Sequence, residues 1–288
     1  MRILTFSSLF PNNRPPNFGI FVENRLRHLM GSGEVEARVI APVPYFPFRF
    51  SMFGAYANYA QVAGQEVRND LEIVHPRYLV IPKIGMNWTP NSLFKAGLEA
   101  ARKLLDQGFD FDLIDAHYFY PDGVAAVKMG EALGKPVMVT ARGTDINLIP
   151  QYQKPRRAIV EAGKKAAAMV AVCQALKDEM VQIGLPEEKI TVLRNGVDLK
   201  CFSPKGRDLA KAKFQIKRPA LVSVGALIER KGHHLTIEAL AQLGEFELLI
   251  AGDGPEKEKL IELAERLGVL DRVQFLGQLA HDELAWLY

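Results

Sequence analysis

Arg230 and Lys231 stand side by side in the stretch VSVGALIERKGHHLTIEALAQL, where an apolar strand gives way, through a loop closed by Gly232, to an amphipathic helix. Peptide dipoles already leave partial positive charge at a helix N-terminus, so adjacent cations there cost a few tenths of a kcal/mol unless an anion offsets them. A phosphate-bearing ligand would do so. The guanidinium and ammonium groups supply charge, the first-turn N–H groups supply directional donors, and Gly225 at the strand end leaves room for close approach. AGDGPEKEKL repeats the device one strand later: Gly252 and Gly254 permit a tight turn around Asp253, and Pro255 opens the next helix. A well-made strand-to-helix turn explains that second stretch equally well. No G-x-G-x-x-G follows either strand, so the nicotinamide-binding fingerprint is absent.

In the first half, His117 is the leading candidate for polar chemistry, at the end of the strand-like run FDLIDAHY. Aromatic and acidic neighbours in DAHYFYPDG could orient it, and its ring can donate, accept or carry a proton near neutral pH, although a single histidine near a strand end is more often hydrogen-bonded structure. TARGTDIN places Arg142 and Asp145 around Gly143 at a neighbouring strand end, and Gly19 lies in the loop that follows the first strand. Two tempting patterns are declined. Asp110 and Asp112 resemble the Asp-x-Asp of metal-dependent sugar transferases, but they precede their strand and lie at the wrong edge of the sheet. His233 and His234 diverge by roughly 100° on a helix and cannot easily share a metal. No zinc spacing occurs elsewhere, so no metal site is expected.

These residues need elements to hold them. Strand-like runs at 2–8, 36–43, 72–79, 111–118, 136–143, 169–173 and 190–196 alternate with helical patterns at 89–108, 123–134 and 174–184. Such alternation, with several strands apolar throughout, means an α/β fold with an open parallel sheet covered on both faces. After NGVD the pattern lapses into a polar, Lys-rich stretch, and it restarts at ALVSVG. The expected organisation is a Rossmann-like domain over 1–198, a linker over 199–219, and a second doubly wound domain beginning at 220. That second unit offers strands at 220–225, 246–252 and 272–277 and helices from 232 and 255, half of such a domain, and Tyr288 falls mid-helix. The second domain is therefore expected to be incomplete. Ligands of open parallel sheets bind outside the carboxyl ends of the strands, where all the polar candidates lie, as two domains facing across a cleft would require.

Composition narrows the function classes. A chain of 288 residues with 48% hydrophobic and 24% charged residues can bury a sizeable core, and a net charge of +3 without a basic tail argues against a nucleic-acid partner. Cys173 and Cys201 form no C-x-x-C pattern and suit a reducing cytosol. The N-terminus enters directly as a strand rather than as a signal peptide, and no apolar run is long enough to span a membrane. The aromatic segment 44–60 could lie on a membrane surface, line an acceptor groove, or pack upon itself.

Taken in order, NFGIFVENRLRHL, DLIDAHYFYPDGVAA, VTARGTDIN, VLRNGVDLKCFSP, SVGALIERKGHHLTIEAL and LLIAGDGPEKEKL through RVQFLG resemble the family 4 glycosyltransferases of GT-B fold. The resemblance implies retaining transfer of a hexosyl unit from a nucleoside diphosphate sugar to a hydroxyl acceptor, with no tightly bound cofactor. Acceptors in the family are lipid-linked, polysaccharide or small-molecule. It implies that Gly19 belongs to a loop approaching the donor phosphates, that His117 lies near the reacting sugar, and that Lys231 binds the diphosphate. Ala226 stands where the family commonly has an arginine, so Arg230 is expected to supply that charge. Arg142-Gly143 replaces a common His-Gly, and Cys173 a common Ser. The family's later Glu-x7-Glu segment would lie beyond Tyr288. A cytoplasmic enzyme, peripheral to the inner membrane face through 44–60, is the expectation. Its rivals are a non-catalytic fragment that binds a partner chain or a glycan, and a GT-B sugar epimerase.

Overall fold

The computed structural model describes residues 1–14, 18–47, 55–80, 85–203 and 206–288. The chain divides into two compact units, Met1–Gly196 and Val197–Tyr288.

The first unit is built on strands β1 (Arg2–Phe6), β2 (Glu36–Ile40), β3 (Val43–Pro44), β4 (Gln65–Arg68), β5 (Leu71–Val74), β6 (Arg77–Tyr78), β7 (Leu113–His117), β8 (Val137–Thr140), β9 (Ala168–Ala171) and β10 (Ile190–Val192). Eight of them form one sheet in the order β10-β9-β8-β7-β1-β2-β5-β4, and β3 pairs with β6 separately. All neighbours in the large sheet run parallel except β4, which returns antiparallel on β5. Asn69 and Asp70, both at positive φ, make the two-residue turn of that hairpin. The expected strand over 36–43 breaks at Ala41, where the chain passes to the small sheet.

Strand periodicity sorts the core. Leu4, Phe6, Ile114, Ala116, Val137 and Val139 face one way, and they cluster with Leu93, Ala101 and Leu104 of helix Thr89–Asp106 and Val124 and Val127 of helix Val124–Leu133. Ile3, Val39 and Ile73 face the other way, against Val22 and Leu26 of helix Ile20–Met30. Each fully buried Leu, Ile or Phe side chain contributes about 1.5–3 kcal/mol of transfer free energy. Both faces are covered, as a doubly wound sheet requires. The chain winds from β1 outward through β2 to β5, then returns to β7 and winds the other way to β10. The strand order therefore reverses between β1 and β7, and ligands of open α/β sheets bind outside the carboxyl ends at such a reversal.

The second unit carries strands β11 (Ala220–Val224), β12 (Glu247–Ala251) and β13 (Val273–Gly277), parallel and in that order, with helices His233–Ala241, Lys257–Arg266 and His281–Leu287. The stretch 199–219, expected as a linker, is grouped with this unit and holds helix Arg207–Lys213. Its polar, Lys-rich surface hid one apolar anchor, Phe214, which packs with Leu249, Ala251 and Leu287. No helix among the described residues is long and apolar enough to cross a membrane. In the aromatic segment 44–60, residues 48–54 lie outside the described residues.

Candidate functional site

The loops after β1, β7 and β8 meet at the reversal point, and a buried polar network joins them. Register puts Thr5 of β1 beside Asp115 of β7, and His117 of β7 beside Thr140 of β8. These four share the sheet face that helix Ile20–Met30 covers. His117 is 1% exposed. Its Nδ1 receives a hydrogen bond from Arg142 Nη2 (2.8 Å), and its Nε2 donates to Asp115 Oδ2 (3.1 Å). A guanidinium has only donors, so the imidazole proton must sit on Nε2. Burial lowers the His117 pKa, Asp115 opposes that, and Arg142 and Arg25 deepen it, so the ring is neutral near pH 7. Burial also works against charge on Asp115, yet His117, Arg25 and Arg142 outweigh it and hold the carboxyl below its ordinary range.

With both ring nitrogens engaged, His117 has none left for a ligand in this arrangement. The group beside it with capacity to spare is Arg142. Its Nη1 donates to exposed Asn195 (3.1 Å), its guanidinium lies 4.7 Å from the Phe21 ring centroid, and its buried Nε has no partner among the described residues. Burial, and then Arg25, lower its pKa to about 10 while Asp115 and Asp145 oppose the fall, and it stays charged near pH 7. Arg25 donates to Thr140 Oγ1 (3.3 Å).

Two further carboxylates tie the loops together. Asp145, fully buried, accepts the backbone N–H of Phe119 (2.6 Å), Arg142 (3.0 Å) and Gly143 (2.8 Å), so it joins the β7 loop to the β8 loop and has the work of a positioning group. Burial raises its pKa against those donors. Asp122, also fully buried, accepts both the backbone N–H and the hydroxyl of Ser8, and so joins the β7 loop to the β1 loop. Gly19 closes that β1 loop at φ 72, and a Cβ there would fall 2.3 Å from the carbonyl oxygen of Leu9. The close backbone crossing explains this glycine without a ligand.

Burial pushes the Asp122 carboxyl up to about 7, Asp145 adds to the rise, and the Ser8 donors oppose it. A carboxyl raised in the fold and ordinary in the unfolded chain binds more protons in the native state. Its stabilising contribution is present below about pH 4 and lost as pH rises through about 7. Asp122→Asn keeps an acceptor for Ser8 and cannot ionise. Denaturation midpoints should show the variant flatter than the parent between pH 5 and 8, and more stable by about 1–3 kcal/mol at pH 8. An unchanged slope would remove Asp122 as the titrating group.

In the second unit, the β11 end, a short turn over Glu229–Lys231 and helix His233–Ala241 set out the cations. Arg230 and Lys231 are exposed, and Gly232, left-handed at φ 71, starts the helix. His233 is buried, paired with Ser223 Oγ (2.8 Å) and the Ala226 carbonyl (3.2 Å), so it anchors this loop to the strand. Gly225 ends β11, with Lys231 and His233 side-chain atoms 3.6 and 3.7 Å from where a Cβ would lie. Gly252 has a packing reason: at φ 145, its Cβ would sit 1.8 Å from the Gly225 carbonyl oxygen. A Cβ on Gly254 would meet the Leu227 carbonyl oxygen at 2.5 Å. Gly252→Ala should therefore destabilise the second unit by about 3 kcal/mol or more, read as an early thermal transition, while the first unit's transition holds. A shift of both transitions, or of neither, would contradict this assignment.

The declined motifs behave as structure. Asp110 pairs with Lys135 (2.6 Å), and Asp112 accepts the Arg2 N–H (2.8 Å). The sequence does not single out Arg25 and Asn195, whereas Asp115 and Asp122 are the acidic neighbours in DAHYFYPDG expected to orient His117, and Asp115 is the one that bonds it. Asp115 had a signal, since residues i and i+2 of a strand share a face.

The chain has known relatives. The model of Glycosyltransferase Family 4 matches residues 54–200, and that of Glycosyl transferases group 1 matches residues 205–288. The chain belongs to glycosyltransferase family 4. TuaC of Bacillus subtilis (strain 168), named as a teichuronic acid biosynthesis glycosyltransferase, is 28% identical over 91% of this chain and 68% of its own. WcaL of Escherichia coli (strain K12), named for colanic acid biosynthesis, is 30% identical over 66% of this chain and 48% of its own. The chain thus spans about two thirds of one family 4 relative and half of the other. Anabaena Alr3699/HepE, solved in complex with UDP and glucose, has the same GT-B fold, with a TM-score of 0.68, 21% identity, and 99% of this chain and 71% of that chain covered.

Proposed function

We propose that this family 4 chain carries the machinery for retaining transfer of a hexosyl unit from a nucleoside diphosphate sugar to a hydroxyl acceptor. Arg230, Lys231 and the first N–H groups of helix His233–Ala241 hold the diphosphate and stabilise the charge it gains on leaving, as preorganised cations and dipoles do. They take the part that a divalent ion plays where a metal assists phosphate departure. Gly225 lets the diphosphate approach the strand end. In the reaction, the bond from the anomeric carbon to the diphosphate oxygen breaks and a bond to the acceptor oxygen forms. The hydroxyl proton passes to the diphosphate.

The first unit, taken by itself, offers a sugar contact at Arg142, with His117 and Asp115 fixing its guanidinium and Asp145 fixing the Arg142-Gly143 backbone. His117 acts through Arg142. The acceptor is lipid-linked, a polysaccharide or a small molecule, and the aromatic segment 44–60 is its natural contact, or a membrane's, for a cytoplasmic enzyme. The observation that carries the reading is the exposed Arg230–Lys231 pair at a strand-to-helix loop, in a chain whose structural relative HepE is solved with UDP and glucose. The test is to incubate the chain with UDP-, GDP- and ADP-hexoses and a panel of hydroxyl acceptors, and to read anomeric couplings of the product by proton NMR. Product with the donor's anomeric configuration supports the reading, and inverted product overturns retention.

A further inference from the structure

Arg25 and Arg142 influence each other and both act on Asp115 and His117. Neither guanidinium makes an ion pair with a carboxylate among the described residues. The side-chain oxygens of Asp145 are spent on the N–H groups of Phe119, Arg142 and Gly143, and one Asp115 oxygen on His117. His117 is neutral, because its Nδ1 must accept from Arg142. The contacts of Arg142 are thus a neutral imidazole, a neutral and exposed amide at Asn195, and the Phe21 ring, and its buried Nε is left without a partner. Phe21 is 40% exposed, so the stacked pair lies where a ligand can reach it.

A half-buried guanidinium whose hydrogen-bond partners are neutral, and whose Nη1 and Nη2 each carry a second N–H beyond the bonds to Asn195 and His117, is a receptor for an oxyanion, which a planar fork of N–H groups matches in geometry as well as charge. We infer that Arg142, backed by Arg25, seats an anionic group carried by the sugar ligand itself, a carboxylate or a phosphate distinct from the nucleotide's diphosphate. The inference rests on the reading of the first unit as a sugar site. The ligand is then a hexuronate or a sugar phosphate rather than a neutral hexose. Charge selects it: two guanidiniums share the Asp115 carboxylate, Asp145 is committed to backbone donors, and a neutral hydroxyl in the same place accepts a weaker bond than an oxyanion.

Nitrogen-15 NMR of the arginine side chains tests this on the full chain, with the Arg142 and Arg25 Nε–H signals assigned from Arg142→Lys and Arg25→Lys variants. Glucose, glucuronate and glucose 6-phosphate are titrated at constant ionic strength, and UDP is titrated into the same sample. The expected result is a saturable shift of the Arg142 Nε–H signal by at least one anionic sugar, with affinity at least tenfold above that of glucose. The tighter of the two anions distinguishes carboxylate from phosphate. Arg142→Gln should abolish the preference. Equal affinities for glucose and both anionic sugars would overturn the inference, as would a preference that survives in Arg142→Gln. The ligand comparison needs no variant, so a misfolded substitution cannot protect the idea. A chain that discriminates anionic sugars yet ignores UDP keeps the anion seat and removes the nucleotide-sugar reading. A chain that binds UDP with no sugar preference does the reverse.

Discussion

The Arg230→Ala, Lys231→Ala double variant is expected to bind UDP at least 100-fold more weakly than the parent chain, as measured by equilibrium dialysis. Each cation on a diphosphate makes charge-assisted hydrogen bonds worth about 1.5–3 kcal/mol, so losing both removes about 3–6 kcal/mol. The helix N–H groups alone hold the remainder. Both side chains are exposed and the turn they occupy is held by His233, so the fold should survive the substitutions. The single variants should each cost about tenfold or more. Parent-like affinity in the double variant would mean that the diphosphate sits elsewhere.

The second large effect is expected at Asp145. Removing its carboxylate leaves the N–H groups of Phe119, Arg142 and Gly143 without their acceptor in a buried place. Each orphaned donor costs about 1–3 kcal/mol, and the three are not additive, so Asp145→Ala should destabilise the first unit by about 3–5 kcal/mol in urea denaturation. Asp145→Asn retains one acceptor oxygen and turns an NH2 towards a donor, so about half of the loss should remain. Both variants should also disturb the Arg142 side-chain signal, because the same carboxylate fixes that residue's backbone. A loss below about 1 kcal/mol in Asp145→Ala would show that water replaces the carboxylate, and the clamp would be dispensable.

What was legible in the sequence follows from which forces are local. The strand ends that carry His117, Arg142 and Arg230 could be read because apolar runs, glycine and charge change within a few residues. From β11 onward the strands and helices fall within about two residues of their expected places for the same reason. The acidic neighbour of His117 could be read from DAHYFYPDG, but its bond to Arg142 and the other partners of Arg142 could not. Asn195 and Arg25 reach Arg142 and Thr140 only because β10 and the helix after β1 are brought to the same edge by the strand order, which local pattern does not encode. Helix Gln153–Lys165 escaped notice because it buries chiefly small groups and Ile159 beneath a charged surface. Helix Arg207–Lys213 escaped because its anchoring residue, Phe214, lies just beyond its end. Gly252 was legible as a turn residue, but the carbonyl of Gly225 that demands it comes from the neighbouring strand. His117 shows the sharpest difference between type and role: its chemistry was evident, and the structure spends both nitrogens on Asp115 and Arg142.

The most direct test of the central claim is calorimetric titration of the unmodified chain with UDP, GDP and ADP. Saturable binding of one of them, with the base-matched nucleotide sugar competing for the same site, is the predicted result and names the donor class. A folded chain that binds none of the three, while its two thermal transitions stay intact, would contradict the assignment of Arg230 and Lys231 to a donor diphosphate.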